Sequence, residues 1–214
     1  MALAVQFEGI GENAELPIDS LVTVGAPKGA MGAGVGADQI WLWDSTAADW
    51  VKYFYHLTGK NWRKAGEPSA TTDSIGNGAT FFFYRGTGGA ATTLTLSGAV
   101  REFAAQPTHA NLIAGEYRFM AYPWPSAMKI ADFKNYQGAP KGAMGAGVGA
   151  DQIWRWDTEN NDWVKYFYHL TGKNWRKVGE SVETSDSIPI GEGFFFYRGT
   201  GGATDTVTFT YSAE

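Results

Sequence analysis

Three histidines are the side chains best suited to acid–base chemistry, but the sequence around them carries no catalytic pattern. His56 and His169 occupy equivalent places in two copies of one segment, and His109 stands alone in a stretch that is typical of a linker. General acid–base catalysis needs a partner within hydrogen-bonding reach, and no carboxylate occupies a recognisable spacing from these histidines. The Ser-His-Asp order of hydrolases and the His spacing of zinc sites are missing as well. We therefore expect no catalytic residue and a protein that is not an enzyme.

The segment from Asp157 to Asp162 brings several oxygen-bearing side chains into one loop, as a calcium site would require. The equivalent loop of the first copy, Asp44 to Asp49, lacks most of these oxygens, and no glycine stands at the sharp turn. An ordinary polar hairpin loop explains the same residues. We expect no metal ion and no cofactor, and calcium at residues 157–162 stays an open alternative.

A glycine-rich segment, residues 32–37, superficially resembles a nucleotide-binding loop. Such a loop needs a strand before it and a helix after it, so that the phosphate meets a helix N-terminus. Here a tryptophan-rich strand follows. The segment therefore indicates a surface loop, flexible or tightly packed, and its retention in both copies makes Met31 and Met144 candidates for an interface.

Aromatic side chains are the strongest feature of the sequence. In residues 50–57 the odd-numbered positions share one strand face, which is typical of a core, and the even-numbered positions share the other. That second face sets two large aromatic rings beside Lys52 and a histidine, a combination used in sugar-binding sites and protein interfaces. Packing in a core or between domains explains the same rings. The candidate interface or ligand residues are Trp50, Phe54, His56, Trp62, Trp163, Phe167, His169, Trp175, Met31, Met144 and Trp124.

An internal repeat organises the elements that carry these residues. Residues 25–64 recur as residues 138–177, and the two stretches differ only at Leu42, which becomes Arg155, and at residues 45–48, which become residues 158–161. A weaker match upstream, with a slip of one residue, aligns residues 16–21 with residues 128–133. The sequence therefore predicts two tandem domains, residues 1–104 and residues 105–214.

The differences between the copies predict a β-hairpin. The variable residues 45–48 behave as an exposed loop between strands over Gln39–Asp44 and Asp49–Leu57. The change from Leu42 to Arg155 predicts that this position faces solvent and that Trp41 and Trp43 face the core. Further strands are expected over Thr80–Arg85, Leu3–Phe7 and Tyr117–Ala121, with Trp62 anchoring a turn.

Composition narrows the class of protein. High aromatic and glycine content favours an all-β fold of antiparallel strands, either a β-sandwich or a barrel-like domain in each copy. The net charge of −5 comes without a cluster of Lys and Arg, so a nucleic-acid partner is not expected. No apolar run approaches the roughly 20 residues of a membrane span. Cysteine is absent, which excludes disulfide bonds and thiolate chemistry.

Three segments of the second copy carry a resemblance: Arg118–Pro125 (RFMAYPWP), Gln152–Asp157 (QIWRWD) and Ile188–Tyr197 (IPIGEGFFFY). Their order resembles a recurrent β-domain of secreted and surface-exposed bacterial proteins, in which an N-P-[FY]-P-like turn precedes a "vwd" strand and an I-P-x-G-x-G-F-[FWY] strand. The first copy departs from the pattern at residues 75–80, where the proline is missing. The resemblance implies a secreted or cell-surface protein with a β-sandwich fold, whose signal peptide is absent from this chain.

Two function classes follow from these observations. The leading expectation is a non-enzymatic structural or adhesive subunit that self-associates through β edges, aromatic surfaces and the glycine-rich loops. The alternative is a carbohydrate-binding module in which duplication raises avidity by presenting two equivalent sites.

Overall fold

A computed structural model of the chain describes residues 2–4, 15–21, 26–32, 36–44, 46–76, 79–90, 108–122, 126–133, 140–147 and 149–208. The described residues form antiparallel strands, turns and two short 3-10 helices, and no α-helix occurs among them. The expected all-β fold is therefore confirmed. The chain divides into two compact units, Met1–Arg101 and Glu102–Glu214. The predicted boundary after residue 104 falls among residues 91–107, outside the described residues.

The first unit is built on a five-stranded sheet in the order β1-β7-β3-β4-β5, with a two-stranded ribbon, β2-β6, beside it. A 3-10 helix, Ile18–Ser20, follows the first ribbon strand. The strands are β1 (Ala2–Ala4), β2 (Glu15–Pro17), β3 (Gln39–Asp44), β4 (Asp49–His56), β5 (Asn61–Lys64), β6 (Ser74–Gly76) and β7 (Thr80–Tyr84).

The second unit repeats this plan, and its described residues include a further ribbon. Its five-stranded sheet runs β9-β15-β11-β12-β13, and its ribbons are β10-β14 and β8-β16. The 3-10 helix Ile130–Asp132 stands where the alignment with a one-residue slip requires it. The strands are β8 (Thr108–Leu112), β9 (Tyr117–Ala121), β10 (Met128–Lys129), β11 (Gln152–Asp157), β12 (Asp162–His169), β13 (Asn174–Lys177), β14 (Ser187–Ile188), β15 (Gly193–Tyr197) and β16 (Asp205–Thr208).

The central hairpin of each sheet matches the sequence-based expectation. β3 pairs with β4 from Gln39 opposite Phe54 to Asp44 opposite Asp49. The Asp44 carboxylate accepts hydrogen bonds from the backbone N–H groups of Thr46 and Ala47, at 2.8 and 3.1 Å, and so fixes the turn between the strands.

One face of each five-stranded sheet carries the core, covered by the ribbon and the 3-10 helix. In the first unit Ile40, Trp62 and Phe81 on the sheet pack with Ile18 and Ile75, and all five are buried. The second unit has a buried cluster with the same plan, to which Leu112 of β8 also belongs. Burial of these side chains supplies most of the stability, since the chain has no cysteine.

The structure corrects the predicted faces of β3. Leu42 packs against the core together with Ile40, whereas Trp41 and Trp43 lie half-buried on the opposite face. The change to Arg155 misled the prediction because it is coupled to a second change, from Ala79 to Glu192. Arg155 Nε lies 3.2 Å from Glu192 Oε1, so the second unit holds an ion pair where the first holds apolar side chains.

Other sequence-based placements change as well. Trp62 lies inside β5 and not at a turn. His109 belongs to β8, opposite Val207 of β16, and not to a linker. The opening strand of the first unit is described over Ala2–Ala4, and residues 5–7 of the predicted strand lie outside the described residues.

Candidate functional site

The sheet face opposite the core forms the candidate site, and we call it the aromatic face. In the first unit it consists of Trp41, Trp43, Trp50, Phe82 and Lys52. Strand alternation places these residues together, because Trp41 and Trp43 share one side of β3 and pair with Lys52 and Trp50 of β4. The second unit repeats the face with Trp154, Trp156, Trp163, Phe195 and Lys165.

Ring contacts hold the aromatic face of the first unit in one arrangement. The Trp50 ring packs edge-on against Trp43 at 5.1 Å and against Phe82 at 5.2 Å, with Trp41 tilted at 6.2 Å. Lys52 Nζ lies 4.3 Å from the centre of the Trp41 ring, a cation–π contact. All three tryptophans are half-buried and Lys52 is exposed, so the face offers apolar and charged surface to a partner.

The aromatic face of the second unit keeps the same geometry. Trp163 lies 5.1 Å from Trp156 and 5.4 Å from Phe195, and Lys165 Nζ lies 4.0 Å from the Trp154 ring. Strand β9 adds two rings, because Phe119 packs on Phe195 and Tyr117 contacts Trp154. The aromatic face of the second unit therefore also includes the rings of Tyr117 and Phe119, which its edge strand β9 supplies.

The histidines at equivalent positions of the two units, His56 and His169, each have a structural role. His56 is buried, and its Nδ1 accepts a hydrogen bond from the Gly59 backbone N–H at 3.0 Å. His169 makes the same bond with Gly172, also at 3.0 Å. Each histidine closes the turn that follows its strand, and in both cases Nδ1 is the acceptor, which places a ring proton on Nε2.

Several other candidate residues prove to be buried. Trp62 and Trp175 are core residues, exposed by 1% and 0%, so a surface ligand cannot reach them. Phe54 and Phe167 lie on the same side of the sheet as the aromatic face but are also buried. Trp124 lies outside the described residues. Of the predicted aromatic candidates among the described residues, Trp50 and Trp163 are the ones that the structure leaves half-exposed.

A buried carboxylate that was not among the predicted site residues holds together the two ends of residues 28–38, between which the glycine-rich segment lies. Asp38 is fully buried, and it accepts hydrogen bonds from the backbone N–H groups of Lys28 and Gly86, at 2.9 and 2.8 Å, and from the Arg85 guanidinium. Asp151 repeats these bonds with Lys141, Gly199 and Arg198. The signal in the sequence was the retention of the aspartate, the arginine and the following glycine in both copies.

The same loop presents its methionine to solvent. Met31 is 67% exposed and neighbours the turn after β4, where Leu57 is 54% exposed. The Ala30 backbone N–H donates to the Tyr55 carbonyl, and the Ala30 carbonyl accepts from the Leu57 backbone N–H. These two hydrogen bonds bring the loop and the turn together. Met144 and Leu170, exposed by 67% and 53%, form the equivalent pair, and we call each pair the Met-Leu patch.

The loop that could have held calcium is occupied by its own hydrogen bonds. Asp157 Oδ1 accepts from the Glu159 and Asn160 backbone N–H groups, and Oδ2 accepts from the Asn160 side chain at 2.8 Å. These bonds, led by the one to the Asn160 side chain, lower the pKa of Asp157 below its usual value. Among the described residues no three His, Asp or Glu side chains stand close enough to bind a metal ion.

No helix in the described part of the chain has the length and apolar character needed to cross a membrane. Comparison of the chain with protein-family models, with curated proteins and with solved structures finds no match in any of the three. The aromatic face, the Met-Leu patches and the way the fold positions them are therefore the basis for a functional conclusion.

Proposed function

We propose that this protein is a non-enzymatic structural or adhesive subunit that self-associates in a bacterial cell-surface or extracellular assembly. The observation that carries the proposal is the aromatic face, present in both units with the same tryptophans in the same contacts. A core needs only one face of each sheet, and that face is already filled by the buried cluster. The opposite face nevertheless holds large aromatic rings, which are enriched where proteins meet.

The Met-Leu patches support the same proposal. The methionine and leucine of each patch expose apolar surface to water, and covering that surface with a partner is favourable. Both patches stand on loops that are held by a buried aspartate paired with an arginine. A fixed loop loses little conformational entropy on binding, which favours a role in recognition.

The secreted location and the bacterial surface assembly rest on the β-domain resemblance of the second unit. The Nδ1 atoms of His56 and His169 accept hydrogen bonds from backbone N–H groups, which supports a structural role for both histidines. The chain then works by presenting two copies of one surface. A subunit with two equivalent surfaces can bind two neighbours, which is what extended assembly requires.

Sedimentation velocity over a wide concentration range tests the proposal. We expect wild-type protein to form concentration-dependent oligomers, and we expect the double variant Trp50→Ser, Trp163→Ser to weaken association about tenfold or more, as loss of a central aromatic anchor does. Val182→Ser is the matched control, because Val182 is 64% exposed but belongs to neither surface. Wild-type protein that stays monomeric throughout the range would contradict the proposal.

A second candidate function is carbohydrate binding, favoured by the Lys52 ammonium beside the tryptophan rings. Rings supply stacking surface and ammonium groups donate hydrogen bonds to hydroxyl groups, the combination that sugar recognition uses. Glycan-array binding by the wild-type chain, weakened by Trp50→Ala and by Trp163→Ala with the fold intact, is the expected result. Failure to bind any glycan on a broad array would remove this candidate.

A further inference from the structure

Sulfur occurs in this chain only in methionine side chains, because cysteine is absent. The described methionines fall into two classes. Met120 and Met128 are core residues of the second unit, exposed by 0% and 5%. Met31 and Met144 belong to the two Met-Leu patches, and both are 67% exposed. Among the described residues, the thioether groups open to solvent therefore lie at the same place in each unit.

The backbone beside each exposed methionine lies close to the turn that follows β4 or β12. In the first unit a Cβ atom added to Gly29 would lie 2.6 Å from the Leu57 Cα atom, so glycine is what lets the loop come this near. The second unit has the same close approach, at 2.7 Å. The Thr58 hydroxyl donates to Met31 Sδ at 4.0 Å, a weak hydrogen bond to sulfur. The fold therefore holds each methionine at the surface beside an exposed leucine.

We propose that Met31 and Met144 are oxidation sites, at which a peroxide converts the thioether to a sulfoxide and thereby weakens self-association through the Met-Leu patches. The proposal rests on the assembly function proposed above and adds a means of regulating it. One oxygen atom of hydrogen peroxide bonds to the methionine sulfur while the O–O bond breaks. The sulfur is oxidised by two electrons, and the peroxide is reduced to water.

The sulfoxide changes the chemistry of the patch and leaves the core untouched. A thioether offers apolar surface, whereas a sulfoxide is polar and accepts hydrogen bonds. In the first unit the Thr58 hydroxyl is already placed to donate to the new oxygen. The core shields Met120 and Met128 from peroxide, so the side chains that stabilise the second unit stay reduced. An oxidised chain therefore remains folded, and covering its patches with a partner becomes less favourable.

Association should in turn protect the two sites. A partner that covers a Met-Leu patch keeps peroxide away from its methionine. Oxidation then acts on free subunits and prevents them from joining, and it spares subunits that are already assembled. The rate of oxidation at both sites should therefore fall as the protein concentration rises.

Peroxide treatment of the full-length chain, followed by peptide mass spectrometry, tests the assignment of the sites. In dilute protein we expect Met31 and Met144 to gain one oxygen atom at least about tenfold faster than Met120 and Met128, which serve as internal controls. In concentrated protein the two exposed sites should react more slowly. Near-UV circular dichroism verifies that the oxidised chain keeps its native packing.

Sedimentation velocity measures the effect of oxidation on association, with each protein compared with its own untreated sample. Wild-type protein should associate about tenfold more weakly after treatment. The double variant Met31→Leu, Met144→Leu should associate equally before and after treatment, because leucine has no sulfur to oxidise.

The possible outcomes separate the oxidation sites from the assembly function. Equal rates of oxidation at the exposed and the buried methionines would overturn the assignment of the sites and leave the assembly function standing. Wild-type association that peroxide leaves unchanged, or a loss of association as large in the leucine variant, would overturn the regulation alone. A wild-type chain that is monomeric before treatment would reject the assembly function and the regulation together.

Discussion

Ala48 and Asn161 occupy the same position in the two hairpin loops, and both have left-handed backbone conformations, with φ of 51° and 54°. Asparagine tolerates this conformation better than alanine, because its short polar side chain can bond locally. Ala48→Asn should therefore raise the free energy of unfolding of the first unit by about 0.5–1 kcal/mol, and Asn161→Ala should lower that of the second by a similar amount.

Hydrogen exchange measured on peptides from β3 and β11 resolves the two units, because these strands differ at Leu42 and Arg155. Slower exchange in β3 after Ala48→Asn, with β11 unchanged, is the expected result. Unchanged hydrogen exchange in β3 would show that the left-handed conformation of Ala48 costs less free energy than its φ implies.

Two buried tyrosines make stability depend on alkaline pH. Tyr53 donates a hydrogen bond to Asp73 at 2.7 Å, and Tyr166 donates to Asp186 at 2.6 Å. Burial, followed by the hydrogen bond and charge of the aspartate, raises the pKa of each tyrosine above its ordinary value. A raised folded-state pKa means that the folded state holds the proton more tightly, so stability is full below the unfolded pKa of about 10 and falls as pH rises above it.

The double variant Tyr53→Phe, Tyr166→Phe should therefore lose less stability than the wild-type chain between about pH 9 and pH 11. At neutral pH the variant should be less stable by about 1 kcal/mol per lost hydrogen bond. Urea unfolding at several pH values measures both effects. An alkaline loss as steep as that of wild type would show that these two tyrosines are not its source.

The direction in which a side chain faces could be predicted from strand periodicity where the two copies have the same residue. It could not be predicted where two substitutions between the copies are coupled. The face of β4 with Val51 and Tyr53 packs against the core, as predicted. The face of β3 was reversed because Arg155 was judged alone. Its partner Glu192 is distant in sequence and becomes visible only when β11 and the turn before β15 are brought together.

At the level of elements, the two units make one contact in two different ways. Leu42 and Ala79 pack as apolar side chains in the first unit, whereas Arg155 and Glu192 form an ion pair at the same positions of the second unit. Arg155 Nη1 also donates to the Ser187 carbonyl at 2.9 Å. Burial raises the pKa of Glu192, and the nearby Arg155 partly offsets this. The two positions should therefore be thermodynamically coupled.

A double-mutant cycle in the first unit tests the coupling. Leu42→Arg alone should destabilise the unit by about 1–3 kcal/mol, because the guanidinium enters a half-buried apolar site without a partner. Adding Ala79→Glu should restore roughly 0.5–3 kcal/mol, the usual range for residues in direct contact. Strict additivity of the two single effects, measured by hydrogen exchange in β3, would contradict the account.

The strands themselves could be predicted well, because duplication showed which residues are loop and which are strand. The hairpin β3–β4 and strand β9 have the bounds expected to within a residue. Short elements without strong periodicity could not be predicted in the same way. The ribbon strands β2 and β6 have three residues each, and β8 lies in a segment whose sequence is typical of a linker.

On the scale of the whole molecule, each of the two units fills a core on one sheet face and presents aromatic rings on the other. The Met-Leu patches stand on loops that Asp38 and Asp151 hold in place. The sequence showed that Asp38, Arg85 and Gly86 are retained in both copies, but their contact depends on which segments the fold brings together.

Light scattering of the purified wild-type chain over a wide concentration range tests whether the protein self-associates. The account predicts an average mass that rises well above the 23.2 kDa of a single chain as concentration increases. Exposed aromatic and methionine surface drives that association, so the Trp50→Ser, Trp163→Ser variant should show a smaller rise. A mass that stays at that of one chain across the whole range would contradict self-assembly as the function of the aromatic face.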